Sequence, residues 1–392
     1  MAGDFMRIIP AEHKQPLTSI KVIGIGGGGG NALNHMIEEG IEGVEFIAVN
    51  TDAQDLDKSL ATVKIQIGEK LTGGRGTGGD PAKGEEAAKE SEELITERIK
   101  NSNMIFLTAG MGGGTGTGAT PVIAEIAQKL GILTVGVVTM PFKFEGEKKM
   151  QKAISGIENL REKVNSIIVI PNEKIRLLGN GKIAFKDAFK QADSLLMNAV
   201  KGIADIITSA GFMNVDFEDV KTVMSAGGQA IMGMGEGEGD ERVLDAIKQA
   251  VENPLVERKG IKGAKGLLIN FTCGEDIMME EITTGVEYLT SEVSRDAEVK
   301  FGVVLNNNYE GRVRVTVIAT GFPEDRKNFR AVSQPPSWEG EEILPTFDPS
   351  SGVQFSEKTN TRVNWSNTPT DIDAPPDFEK PTFKRKSEIR NR

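Results

Sequence analysis

Histidine and cysteine are nearly absent from this 392-residue chain, which holds only His13, His35 and Cys273. So few leave no set for a histidine-based triad or a His/Cys zinc site. A lone cysteine forms no intramolecular disulfide and suits a reducing cytoplasm. No stretch approaches the ~20 apolar residues of a membrane span. The first residues, MAGDFMRIIPAEHK, lack the pattern of a secretory signal. No G-x-x-x-x-G-K-[ST] occurs, which excludes a P-loop nucleotide site. Positive charge is in deficit, with 46 Lys and Arg against 57 Asp and Glu, a net of -11. That balance argues against non-specific nucleic-acid binding, which needs clustered cations. Chemistry here falls to carboxylates, amides, hydroxyls, backbone groups and bound ions.

What the chain has in excess is glycine, and its distribution is uneven. Of 46 glycines, 44 precede Pro323, whereas nine of the 16 prolines lie from Pro323 onward. Both tryptophans, Trp338 and Trp365, also fall in that last stretch, which shows neither helical nor strand periodicity. It reads as a disordered linker over 323–378 and a basic tail over 379–392, the latter carrying Lys384, Arg385, Lys386, Arg390 and Arg392. A flexible segment is expected over 1–16. With that tail set aside, the folded part is long enough for two domains with separate cores.

Strands and helices alternate through the first half. Ile20–Ile25, Phe46–Asn50, Met104–Thr108, Leu133–Thr139 and Ile167–Ile170 read as strands, and Asn31–Glu39 as a helix closed by Gly40. Asp80 followed by Pro81 marks another helix start, through a capping carboxylate and a pre-set first turn. The pattern implies an α/β, doubly wound, mostly parallel sheet over 17–182. A long helix is expected over 183–210, because Phe185, Phe189, Ala192, Leu196, Val200, Ile203 and Ile207 recur at helical spacing. The breadth of its apolar surface suits a helix lying between two domains. Gly266–Thr272, Phe301–Asn306 and Arg312–Thr320 supply strands for a second sheet, in an α+β domain over 211–322.

Three glycine clusters fall between a strand and a helix. Gly26–Gly30 follow the first strand, Thr72–Gly79 (TGGRGTGG) precede the Asp80 cap, and Gly112–Gly118 (GGGTGTG) follow the strand ending at Thr108. Backbone without side chains can approach a phosphate, and the first N–H groups of a helix point at it. The first cluster alone is ambiguous. Gly24, Gly26 and Gly29 also satisfy the dinucleotide fingerprint, with Asp52 near the end of the second strand, so an NAD-dependent oxidoreductase is a rival reading. Such a domain has no evident use for the second and third clusters, whereas several phosphates need several N–H donors.

GGGTGTG at Gly112–Gly118 and GGGGGNA at Gly26–Ala32 resemble the phosphate loops of the tubulin/FtsZ GTPase family. MPFKFEG at Met140–Gly146, IPNEK at Ile170–Lys174, NVDFEDV at Asn214–Val220 and TVIATGF at Thr316–Phe322 follow in the family's order. The resemblance spans nearly all of 17–322. It implies GTP or GDP as ligand, with Mg²⁺ and K⁺ as candidate cations and no metal held by protein ligands alone. Gly27, Gly28, Gly29, Gly30 and Asn31, with Gly114, Thr115 and Gly116, would hold phosphates. Thr77 and Gly79 would lie near the γ-phosphate. Glu145 and Lys149 would face the ribose, with Asn172 close by. Phe189 would stack on guanine, and Asp193 would accept from its N1–H and 2-amino group. Lys149 stands where the family commonly has Arg, Thr77 and Gly79 where alanine is frequent, and Lys384 where the terminal peptide usually has leucine.

Asn214, Asp216 and Asp219 follow the long helix. The plain reading makes them caps of the next helix; the resemblance makes them the residues that position an attacking water or its cation. With Asp193 on the base, the helix carries the chain ~25 Å away at 1.5 Å per residue. The acidic loop would then serve a nucleotide held by another copy, and such head-to-tail contacts build filaments. By resemblance the expected activity is assembly-dependent GTP hydrolysis in a cytokinetic ring, in the cytoplasm at the inner face of the membrane. Recruitment would run through an adaptor and other division proteins bound to the tail. A relative that binds GTP without turnover is the second rival.

Overall fold

The hydrophobic pattern of the first half becomes a sheet covered on both faces. The structure is a computed structural model that describes residues 18–178, 183–208, 211–213, 215–252 and 260–322. The expectations for 1–16, for Asn214, for the linker over 323–378 and for the tail over 379–392 lie outside the described residues.

The first half contains β1 (Ile20–Ile25), α1 (Gly26–Glu38), β2 (Glu45–Asn50), α2 (Ala53–Asp57), β3 (Val63–Gln66), α3 (Glu69–Thr72), α4 (Pro81–Glu90) and α5 (Glu92–Ile99). It continues with β4 (Met104–Gly110), α6 (Thr115–Lys129), β5 (Leu133–Met140), α7 (Glu147–Arg161), β6 (Ser166–Pro171) and α8 (Asn172–Leu178). Strands run parallel in the order β3-β2-β1-β4-β5-β6. Alternate residues feed two cores, as the two-residue period of a strand requires. Val22, Phe106 and Val135 point to one face, with Leu33 and Met36 of α1. Ile23, Ile105, Leu107 and Val138 point to the other, with Ile123 of α6 and Ile157 of α7.

The long helix, α9, spans Phe185–Thr208, and its buried stripe includes Leu196, Val200 and Ile203. These join the first core beside Leu268 and Ile318 from the second half. A Cβ at Gly202 would lie 2.9 Å from the Thr316 side chain, so glycine is what lets α9 approach there.

After α9 come α10 (Phe217–Ser225), β7 (Gln229–Glu238), α11 (Arg242–Glu252), β8 (Gly266–Cys273), α12 (Met279–Glu292), β9 (Glu298–Leu305) and β10 (Arg312–Thr320). The strand order is β7-β10-β8-β9, antiparallel at β7–β10 and β10–β8 and parallel at β8–β9. The sequence suggests a separate second sheet; instead β7 pairs with β6 at Ile167↔Gln229 and Ile168↔Ala230, which makes one ten-stranded, mostly parallel sheet.

Candidate functional site

A cavity of about 500 Å³ opens over the carboxyl ends of the parallel strands, where α/β sheets receive ligands. Two of the helices that start at its wall, α1 and α6, begin without a side-chain cap. Ile25 precedes α1 and Gly114 precedes α6, and neither residue's side chain accepts from the first turn. By contrast Asp80 caps α4, accepting from Ala82 N–H at 3.0 Å, and Asp52 caps α2, accepting from Gln54 N–H at 2.9 Å. These two helix starts thus keep N–H donors for an anion, whereas α2, which also borders the cavity, and α4 satisfy part of theirs internally.

The glycines of the first cluster are not a loop ahead of a helix, as the sequence suggests; they form its first turns. Gly27, Gly28 and Asn31 line the cavity. Gly29 faces away, and a Cβ there would lie 2.3 Å from Thr108 O on β4. Its role is helix-on-strand contact. Gly30 borders a small adjoining recess with Asn34 and Ser59.

The second and third clusters complete the anion end. Gly113, Gly114, Thr115 and Gly116 line the cavity, as do Thr77 and Gly79. The buried Thr51 and Thr115 hydroxyls share a 2.7 Å hydrogen bond, and Thr117 Oγ1 accepts from Gly112 N–H at 2.8 Å. Lys152 Nζ donates to Gly79 O at 2.6 Å and tethers the third loop to α7.

The other end of the cavity is aromatic and acidic. Phe189, Ala192, Asp193 and Leu196 reach it from α9. Burial pushes the Asp193 carboxyl up to about 6, only partly opposed by His35. Glu145 accepts from Phe142 N–H at 2.8 Å with one oxygen and pairs with Lys149 through the other. Asn172, at the start of α8, is buried, and its Oδ1 has no protein partner. A buried acceptor left open against a cavity fits a ligand hydroxyl or amide.

Sequence reasoning passed over Asn50, Asp55 and Arg75, and weighed Asp52 only as the acid of a dinucleotide fold; all four line the cavity. The one available signal was their place after the second strand and within the Thr72–Gly79 cluster.

Asp216 and Asp219 do not line the cavity. Asp216 caps α10, its Oδ1 accepting from Asp219 N–H at 2.7 Å, so the plain capping reading holds for it. Asp219 Oδ1 instead pairs with Lys300 Nζ at 3.0 Å. From Asp193 to Thr208 α9 alone rises ~22 Å, which separates these carboxylates from the aromatic and acidic end of the cavity.

Residues 19–179 match the Tubulin/FtsZ family, GTPase domain, and residues 228–323 the FtsZ family, C-terminal domain. A relative in Aquifex aeolicus, described as cell division protein FtsZ, is 50% identical over 307 residues, or 78% of this chain and 84% of that one. An empty FtsZ dimer of M. jannaschii superposes with a TM-score of 0.74 at 45% identity, over 79% of this chain and 89% of that one. CetZ2 of Haloferax volcanii, in a GTPγS-bound protofilament, gives a TM-score of 0.68 at 21% identity, over 81% of this chain and 97% of that one, a likeness of fold alone.

Proposed function

The chain belongs to the FtsZ family of tubulin-like GTPases, and from that premise we propose that it assembles head to tail and hydrolyses GTP between subunits. The observation that carries the reading is a separation along α9: the Phe189–Asp193 end of the cavity lies at one end of the helix and the two carboxylates beyond the other. A chain so arranged holds nucleotide with one face and offers acids from the opposite one. Exposed apolar groups flank both. Phe212 is 79% exposed, beside Met213, just ahead of the acidic loop, and Phe144 and Phe185 are exposed near the base end. Such groups suit subunit contacts.

In this reading the open N–H groups of α1 and α6 hold phosphates, with Thr77 and Gly79 near the γ-phosphate. Asn172 and Glu145 accept from ribose hydroxyls, Lys149 orients Glu145, Phe189 stacks on the base and Asp193 selects guanine. Mg²⁺ bound on phosphate oxygens and water would neutralise charge. Asp216 and Asp219 of the next subunit, with Asn214, orient water for in-line attack on the γ-phosphorus. The bond to the β-phosphate breaks, leaving GDP and phosphate. The proposed setting is a division ring, with the 379–392 tail recruiting a membrane adaptor. None of the described helices is long and apolar enough to cross a membrane.

The test is turnover per subunit against protein concentration. Hydrolysis should be negligible below an assembly threshold and rise above it, with GTP far preferred over ATP. A rate per subunit that is constant through dilution would overturn the trans reading.

A further inference from the structure

The acidic loop is held by more than its two flanking helices. Edge strand β9 packs beside α10 and attaches to the loop twice. Met213 and Val303 form an isolated antiparallel bridge, with N–H···O distances of 3.3 and 2.9 Å. Farther back along β9, Lys300 places its ammonium 3.0 Å from Asp219 Oδ1 and 2.9 Å from Glu298 Oε1. Glu298 first and Asp219 second raise the Lys300 pKa, so the ammonium stays charged.

The two acids are thus fixed by different devices. Asp216 is oriented by the backbone it caps. Asp219 sits in the first turn of α10, and among the described residues the contact that holds its carboxylate is the ion pair with Lys300. An acid meeting another subunit's phosphates is repelled by them, and a side chain free to rotate would turn away. A lysine clamped on one oxygen opposes that rotation and offsets the charge, while the other oxygen remains for water or a cation.

We infer that Lys300 is a positioning residue for hydrolysis, holding Asp219 in the orientation in which it meets the next subunit's nucleotide. The inference rests on the proposed trans role of Asp219. It differs from a purely structural role, in which Lys300 would only brace β9 against α10.

The experiment uses the full chain with Lys300→Met, Lys300→Arg and Asp219→Asn. It measures GTP affinity below the assembly threshold, the threshold itself, and turnover per assembled subunit. Lys300→Met should lower kcat per assembled subunit about 10-fold, as expected when a reacting group loses its orientation. GTP affinity and the threshold should stay near those of the parent, and filaments should persist longer. Lys300→Arg, whose guanidinium still reaches the carboxylate, should retain most of the turnover. If Lys300→Met raises the threshold but leaves turnover per assembled subunit unchanged, Lys300 is a brace and the inference is wrong. If Asp219→Asn abolishes turnover while Lys300→Met does not reduce it, the positioning role alone fails. If Asp219→Asn hydrolyses GTP normally, the trans reading fails and takes the inference with it.

Discussion

The ring of Phe189 meets that of Phe142 edge-on, with centroids 5.2 Å apart and planes at 71°, and meets Phe185 likewise at 5.2 Å and 63°. Two T-shaped partners set the plane of the proposed base platform. Base stacking on an aromatic ring contributes ~1–3 kcal/mol, so Phe189→Ala should weaken GTP binding roughly 10- to 100-fold. Phe185 is 70% exposed and does not line the cavity, so Phe185→Ala should have a smaller effect. Calorimetric titration of each variant checks the order; unchanged affinity in Phe189→Ala would remove the platform.

Asp193, the proposed reader of guanine, also bears on stability. Its carboxyl is raised by burial to about 6 from an ordinary 3.8. Below about pH 3 it is protonated in both the folded and unfolded chain, and burial costs little. Between about pH 4 and pH 6 the unfolded chain ionises while the folded chain still holds the proton, so stability falls as pH rises and levels off once the folded carboxyl ionises above about 6. Asp193→Asn should therefore stabilise the nucleotide-free chain by about 1–2 kcal/mol at neutral pH and by almost nothing below about pH 3. GTP binding should respond in the opposite sense. In the proposed reading the ionised carboxylate accepts from guanine, so the parent's affinity should fall as pH drops through about 6, while that of Asp193→Asn stays flat and discriminates bases poorly. Denaturant midpoints and binding isotherms across this pH range check both signs.

The glycines divide by what surrounds them. A Cβ at Gly118 would lie 2.0 Å from Pro81 O and 2.7 Å from Glu85 N, where α6 crosses α4. Gly118→Ala should destabilise the chain by ~2–3 kcal/mol. At Gly30 a Cβ meets nothing within 4 Å, and the residue is helical. Gly30→Ala should stabilise by ~0.5–1 kcal/mol by restricting the unfolded chain. Chemical denaturation of the pair checks the contrast.

That division also marks what the sequence could convey. Asp80-Pro81 announced its helix because capping is local chemistry, and the strand cores were legible because burial on both faces leaves continuous apolar runs. The glycine clusters located the cavity, yet one string of identical residues could not separate Gly27 and Gly28, which face it, from Gly29, which packs on β4. β7 was missed for a related reason. Its Gly235 and Gly237 resemble loop residues, but α11 lies so close that a Cβ at either would come 2.0 Å from Ala246 O or Arg242 O. Asn50, Asp55 and Arg75 join the cavity through tertiary contact, which spacing along the chain does not encode.

The proposed trans arrangement admits a decisive mixing experiment. Asp219→Ala should bind GTP normally and form filaments that retain it, since this carboxylate lies away from its own subunit's cavity. The complementary variant must lose nucleotide while keeping its acidic loop. Gly114 is a poor choice, because a Cβ there would lie 2.0 Å from Thr77 Oγ1 and disturb the fold. Gly113 lines the cavity and a Cβ there meets no atom within 4 Å, so Gly113→Leu should fill nucleotide space without straining the chain. Alone, each variant should hydrolyse little GTP. In a random equal mixture, roughly a quarter of junctions join GTP held by the first to the intact loop of the second, and turnover should return in that proportion. Co-sedimentation of tagged chains verifies that mixed filaments form. Mixed filaments that still fail to hydrolyse GTP would return Asp219 to a local role on α10, paired with Lys300 and nothing more.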